Sequence, residues 1–360
     1  MNLKLQNILF IGRAMLQGGA ENVILQLCEI FNPLVNKIVV CAGTGFDRGK
    51  LDKLNIRFYE IPDIESKNIS TMLTISKTLR NVVRDENITV IHTHHRMAAF
   101  YVSVLGLYKQ CTFINTSHNT FNNKIQLTRF AYKHAHLIAC GEMVKKNLVD
   151  TFKMRDVTAI HNAVKEFDGP VVPDKILTAL HDQGYFLIGN VGRLTEQKGF
   201  EYFIDAMPEI LEKNPTTKFI IVGAGELEQS LKKRVARLHL EQDVVWLGFR
   251  NDVQNVMQQL DLVVLSSLWE GLPLTPIEAF SVGRTVIATA VDGTVEIIDD
   301  GVNGYLVSPR DSKKLAEKCC VLLAQPKLMN QFEMEAQKKF TKEFSYATFE
   351  QRLVQYYEGL

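Results

Sequence analysis

No stretch of the chain approaches the ~18 consecutive apolar residues that a membrane-crossing helix needs, so no segment reads as spanning a bilayer. A Cys-x-x-Cys pair is also missing. The six cysteines, Cys28, Cys41, Cys111, Cys140, Cys319 and Cys320, are scattered through apolar stretches. That removes the usual zinc and dithiol spacings and fits reduced core thiols in a cytosolic protein. Residues 1–10 lack the extended apolar core of a secretory signal and read as a first strand. A complete Gly-x-Gly-x-x-Gly is absent. Gly223 and Gly225 supply two of its glycines, but Leu227 and Glu228 follow, which weakens a dinucleotide oxidoreductase. Without a Gly-x4-Gly-Lys-Ser/Thr run, a P-loop enzyme is excluded. There is neither a short repeat nor a low-complexity tract.

What is present is a chain of 360 residues, long enough for two domains of about 150 to 200 residues each. Its 46% hydrophobic and 22% charged residues are ordinary for a soluble globular protein. The net charge of +1 conceals a split. Residues 1–167 hold 21 Lys+Arg against 13 Asp+Glu, or +8; of the 41 and 40 in the chain, 20 and 27 remain, or −7, for 168–360. Such a split suits a first half that meets something anionic. Segments 124–133 and 145–155 are the basic faces, and Phe121, Phe130 and Tyr132 are apolar wedges beside them. An anionic membrane carrying a lipid-linked acceptor is the expected partner there, each nearby cation adding on the order of 1 kcal/mol.

Short β-branched runs alternate with amphipathic ones. Strands are expected at 7–11, 38–41, 57–61, 90–92, 112–115, 137–140 and 158–160, then at 186–191, 218–222, 244–247, 262–265, 286–289 and 304–307. Helices are expected between them, among others at 20–31, 70–86, 96–107, 200–212, 226–238, 276–282 and 312–324. Strand–helix alternation implies parallel sheets covered on both faces. The pattern occurs twice, so the fold class is α/β with two doubly wound, Rossmann-like domains. The break is expected in the Pro- and Gly-bearing stretch 166–174, giving domains 1–167 and 168–340.

Glu270 and Glu278 follow the run 262–265 and open a helix. An ionised carboxylate only accepts hydrogen bonds, which suits sugar hydroxyls. The amides of residues 271–275 lie at a helix N-terminus, where phosphate binds well. The ordinary structural alternative is a capping box, with Thr275 as N-cap, Pro276 first in the helix and Glu278 bonding back to the Thr275 amide. Arg193 and Lys198 leave the run 186–191, where an Arg fork and a Lys point charge suit a diphosphate. Their alternative is surface pairing with Glu196 or Glu201. Gly192 and Gly199 fit a loop that approaches a ligand. Gly18 and Gly19 precede a helix in the same way. His92, His94 and His95 are close together, but a strand sends His92 and His94 one way and His95 the other. No acid or cysteine pattern joins them, so they read as cleft lining or packing rather than as metal ligands. His118 ends another strand at a ligand-binding edge. Asp252 either accepts from a nucleobase or caps the next helix, and the two roles can coexist.

In this order, Gly18-Gly-Ala-Glu21, His118, Val191-Gly-Arg with Lys198, Val222-Gly-Ala-Gly225 and the Glu270/Glu278 pair resemble the retaining nucleotide-sugar glycosyltransferases of family 4. The resemblance covers nearly the whole chain. It implies the GT-B fold, two Rossmann-like domains facing a central cleft, with a helix in 341–360 crossing back to the first. Also implied are a diphosphate clamp of Arg193 and Lys198, ribose contacts from Glu278, and donor-sugar contacts from Glu270 and His118. Gly18, Gly19, Gly192, Gly223 and Gly271 would approach the donor, together with Leu272, Leu274 and Thr275. Gly248, Arg250 and Asp252 would read the base. The resemblance implies front-face transfer without a protein nucleophile, no metal or other cofactor, and a saccharide or lipid-linked acceptor in surface-glycan synthesis. No nucleic-acid partner is expected, and the location is cytoplasmic, at the inner face of the membrane. Other readings are a non-hydrolysing nucleotide-sugar epimerase, with the histidines as acid and base, and an inactive sugar-nucleotide-binding subunit.

Overall fold

The structure, a computed structural model, describes residues 1–14, 19–43 and 48–360. It divides into two compact units, Met1–Asn162 with Glu350–Leu360, and Ala163–Phe349.

The first unit holds seven parallel strands: β1 (Asn7–Ala14), β2 (Lys37–Gly43), β3 (Arg57–Glu60), β4 (Val90–Thr93), β5 (Thr112–Ser117), β6 (His136–Ala139) and β7 (Val157–Ala159). Their order is β3-β2-β1-β4-β5-β6-β7. The second unit holds six: β8 (Phe186–Val191), β9 (Thr217–Val222), β10 (Val244–Gly248), β11 (Leu262–Leu265), β12 (Val286–Thr289) and β13 (Gly304–Val307), ordered β10-β9-β8-β11-β12-β13. All pairings within both sheets are parallel. The strand order reverses between β1 and β4, and again between β8 and β11. At such switch points the loops leaving two adjacent strands run apart and open a crevice.

Burial explains the strand composition. Leu262, Val263, Val264 and Leu265 are all fully buried, as a central parallel strand covered on both faces requires. Phe200, Phe203 and Ile204, on the helix Phe200–Lys213, pack with Phe219 of β9 in the core of the second unit. β1 runs past the expected end at Ile11 to Ala14, through a register shift against β2. The helix Pro326–Lys339 was not among the stretches expected from periodicity. Pro326 ends the preceding helix, Ser312–Ala324, and stands at the first turn of the new one, where its missing N–H costs nothing. The six cysteines are free thiols, all buried except the half-buried Cys320. Among the described residues, no helix is long and apolar enough to cross a membrane.

Candidate functional site at the edge of the second sheet

The loop after β8 and the loop after β11 meet at the switch point of the second sheet. Asn190 Nδ2 donates to Ser266 Oγ at 3.0 Å, and Ser266 Oγ donates to the Lys198 carbonyl at 3.1 Å. The Leu268 amide donates to the Gln197 carbonyl at 2.7 Å. Gly199 makes this approach sterically possible. Its φ is +55°, and a Cβ there would lie 2.3 Å from the Ser266 carbonyl oxygen. Gly223 is tighter still: at φ +142° a Cβ would lie 1.9 Å from the Gly192 carbonyl oxygen. The ends of β8 and β9 are therefore close at Gly192 and Gly223. The Gly223 amide also donates to the Gly248 carbonyl at 2.8 Å, which joins the end of β10 to the same edge.

Lys198 and Glu270 form one ion pair on this edge. Lys198 Nζ donates to Glu270 Oε1 at 2.6 Å, and Ser267 Oγ donates to the same oxygen at 2.6 Å. Gln197 Nε2 reaches Glu270 Oε2 at 3.4 Å, while the Glu270 amide donates to Asp292 Oδ2 at 2.9 Å. Glu270 is only 6% exposed. A carboxylate this deep is stable only when paired and hydrogen-bonded. Sequence reasoning missed Gln197, Ser267 and Asp292. The one signal was the polar pair Ser266-Ser267, placed directly after the buried run 262–265. The alternative pairing of Lys198 with Glu196 or Glu201 does not occur. Arg193 is exposed, and no partner for its guanidinium exists among the described residues. The two expected cations thus differ: one is tied to Glu270, the other is free.

The capping-box expectation is corrected. The helix is Leu274–Ser281 with Pro273 at its N-cap, so Thr275 lies inside the first turn. Its hydroxyl is turned to the Val191 carbonyl, 3.4 Å away, at the end of β8. No side chain among the described residues bonds the Glu278 carboxylate. Burial raises its pKa to about 7, with the nearby Lys198 charge opposing the rise. Pro273 contributes no amide to the 271–275 stretch. The N–H groups of Gly271, Leu272, Leu274 and Thr275 find no acceptor among the described residues. Free donors at a helix N-terminus, an unpaired guanidinium and an unpartnered carboxyl therefore share one sheet edge. Such an edge offers the groups that a ligand carrying both anionic oxygens and hydroxyls would need.

Asp252 stands at the N-cap position of the helix Val253–Gln258, but its side chain caps no amide. It accepts two bonds from Arg250 instead, at 2.8 and 2.7 Å, and one from Asn255 at 3.1 Å. Arg250 holds its pKa down to about 2. The third donor of Arg250 reaches Asp174 Oδ2 at 2.8 Å. The expected base-reading pair is thus bonded to itself and to the start of the helix Lys175–Asp182.

In the first unit, His118 is half-buried beyond the end of β5, and Gly19 opens the helix Gly19–Phe31 in an exposed position. Gly18 lies outside the described residues. His92 and His94 lie against each other with ring centroids 4.3 Å apart and planes tilted by 30°, whereas His95 caps the helix Arg96–Val104 by accepting from Met97 N at 3.2 Å.

Two family profiles match the chain. Glycosyltransferase Family 4 matches residues 17–166, and Glycosyl transferases group 1 matches residues 176–339. The UDP-Gal:alpha-D-GlcNAc-diphosphoundecaprenol alpha-1,3-galactosyltransferase of Escherichia coli is 26% identical over 359 residues, 92% of this chain and 91% of that one. A glycosyltransferase from Rickettsia africae superposes with a TM-score of 0.85 at 21% identity, over 99% of this chain and 98% of that one. Anabaena Alr3699/HepE, solved in complex with UDP, superposes with a TM-score of 0.82 at 21% identity, over 99% and 100%. The fold is GT-B, and the chain belongs to the family 4 glycosyltransferases.

Proposed function

We propose that the protein is a retaining hexosyltransferase that uses a UDP- or GDP-sugar and a saccharide or lipid-linked acceptor in surface-glycan synthesis. The observation that carries this reading is the shared edge at the β8/β11 switch point: free Arg193, free amides from Gly271 to Thr275, and the Glu278 carboxyl. Relatives support the donor and acceptor classes, since HepE was solved with UDP and the Escherichia coli relative is named for a diphosphoundecaprenol acceptor.

In this reading Arg193 and the amides hold the diphosphate and offset the charge that develops as the sugar–phosphate bond breaks. Glu278 accepts from the ribose hydroxyls. Lys198 keeps Glu270 oriented toward donor-sugar hydroxyls and adds its own charge to the phosphate region. The bond to the acceptor oxygen forms on the face the leaving group departs from, and the acceptor proton goes to the departing phosphate oxygen. No protein nucleophile is assigned. Because side-chain and amide donors supply the countercharge, activity should survive chelation by EDTA.

The test is incubation of UDP- and GDP-sugars in EDTA with lipid-diphosphate and oligosaccharide acceptors, with product anomers read by NMR. Transfer with an unchanged anomeric configuration is expected. An epimerised donor formed without acceptor would sink the reading in favour of the epimerase, and donor binding without turnover would favour the inactive subunit.

A second feature concerns the membrane. The two basic segments close around one cavity of about 700 Å³ at the start of β6 and β7, lined by Arg129, Lys133, Lys153 and Arg155 with exposed Phe130 on its rim. Among the lining residues, only Asp156 carries a negative charge. This supports peripheral contact with anionic lipid. The protein is expected to float with vesicles containing phosphatidylglycerol and to be released by raised salt. Equal flotation with neutral vesicles would remove the proposal.

A further inference from the structure

Three histidines, all outside the second-sheet site, form one layer in the first unit. His92 is tied at both nitrogens, with Nδ1 at 2.6 Å from Tyr357 Oη and Nε2 at 2.7 Å from Thr116 Oγ1. His94 lies against that fixed ring, and Phe10 flanks both, with centroids at 5.7 and 6.1 Å. Beyond it, His94 Nδ1 meets His118 Nε2 at 3.0 Å, and the two rings are stacked within 21° of parallel. The outer nitrogens, His94 Nε2 and His118 Nδ1, are buried without a partner. His94 is therefore the one polar partner of the His118 ring among the described residues.

We infer that His94 is a positioning residue: its Nδ1 holds His118 Nε2, which fixes the rotamer that His118 presents at the edge of the first sheet and ties its tautomer to that of His94. The inference rests on the reading above only where it bears on activity, because the resemblance gives His118 a donor-sugar contact. The physical reason is direct. A neutral imidazole has one donor and one acceptor nitrogen, so the ring that donates at the contact obliges the other to accept there. Burial keeps both rings neutral: it pushes the His118 pKa down to about 4, and His94 is also held well below the usual histidine range. A single N–H is then shared along the 3.0 Å contact. His94 packs against the doubly bonded His92, so a fixed ring backs the one that holds His118. Purely as packing, His94 would need only its shape.

The experiment uses the full chain labelled with ¹⁵N-histidine. In the unliganded protein, long-range ¹H–¹⁵N spectra should show His94 and His118 as matched neutral tautomers, protonated at Nδ1 in both rings or at Nε2 in both, with one N–H between them. His94→Phe keeps the ring against His92 and Phe10 but removes both nitrogens, and should shift the tautomer balance of His118. His94→Asn, which returns a polar group near the Nδ1 position, should bring the His118 spectrum back toward that of the wild type. An unchanged His118 spectrum in His94→Phe overturns the inference whatever the activity does. With the donor and acceptor identified by the transfer assay, His94→Phe should lower kcat about 10- to 100-fold, as small misplacements of a site group do. Donor KM should stay within about twofold if ground-state binding is untouched. In a His118→Ala background His94→Phe should add nothing; equal losses in both backgrounds would mean that His94 acts independently of His118. A fully active His118→Ala would instead remove the role read for His118 and leave the spectroscopic result standing.

Discussion

Replacing Arg193 and Lys198 together with alanine is expected to lower kcat/KM by several orders of magnitude, since each charge-stabilising donor is worth about 10²–10³ in transfer chemistry. The two single variants should separate. Arg193 is exposed and unpaired, so Arg193→Ala should leave stability within about 0.5 kcal/mol while cutting turnover. Lys198 is bonded to a carboxylate that is 6% exposed. Lys198→Ala strands that charge, a change that costs about 3–5 kcal/mol for a fully buried pair. Lys198 retains some solvent contact and Ser267 still donates to Glu270, so the loss should fall below that range. Denaturant melts and steady-state kinetics on the three proteins check both statements. Normal transfer by the double variant would end the clamp assignment.

Glu278→Gln should weaken donor binding and stabilise the unliganded protein in the same step. The Glu278 pKa is raised to about 7 from an ordinary 4.5, mainly by burial. Between those values the folded state keeps a proton that the unfolded state has released, so stability falls as pH rises through that window. It is flat below about 4.5 and again above about 7. Glutamine removes the dependence. At pH 8 the variant should be more stable by on the order of 1–2 kcal/mol, below the full linkage value because the side chain is only half-buried. At pH 4 the two proteins should match. Loss of a charge-assisted bond to a ribose hydroxyl should weaken donor affinity roughly tenfold or more. Thermal melts at both pH values and donor titrations read the two effects. A wild-type melting temperature independent of pH from 5 to 8 would refute the assignment of the shift. A functional carboxyl that costs stability when empty is a usual stability–activity trade-off.

The thirteen strands of the described residues lie at the expected runs; the central ones are apolar along their length because both faces are covered, whereas the edge strand β3, Arg-Phe-Tyr-Glu, is exposed at both ends. Strand ends were less legible. β1 extends to Ala14 because its register against β2 shifts, a property of the pairing rather than of the local sequence. At the site, Arg193, Lys198, Glu270 and Glu278 were readable as a set because each follows a strand of the same sheet. Their individual states were not. Whether Lys198 pairs with Glu196, Glu201 or Glu270 depends on how closely the loop after β8 approaches that after β11, which Gly199 and Ser266 set. Asp252 looked like a cap; Arg250 takes its carboxylate from that role through a fork that no spacing reveals. His94 and His118, 24 residues apart, were legible as neighbours on one sheet edge, but their direct contact depends on the register in which β4 and β5 pair.

By itself the sequence determined two doubly wound parallel sheets and which loops carry charge to their edges, because hydrophobic period and strand–helix alternation are local properties. Only the tertiary structure decided which charges are spent on each other and which stay free. Ion pairs and shared protons depend on distances of a few ångströms between residues far apart in the chain, and the packing of neighbouring strands sets those distances.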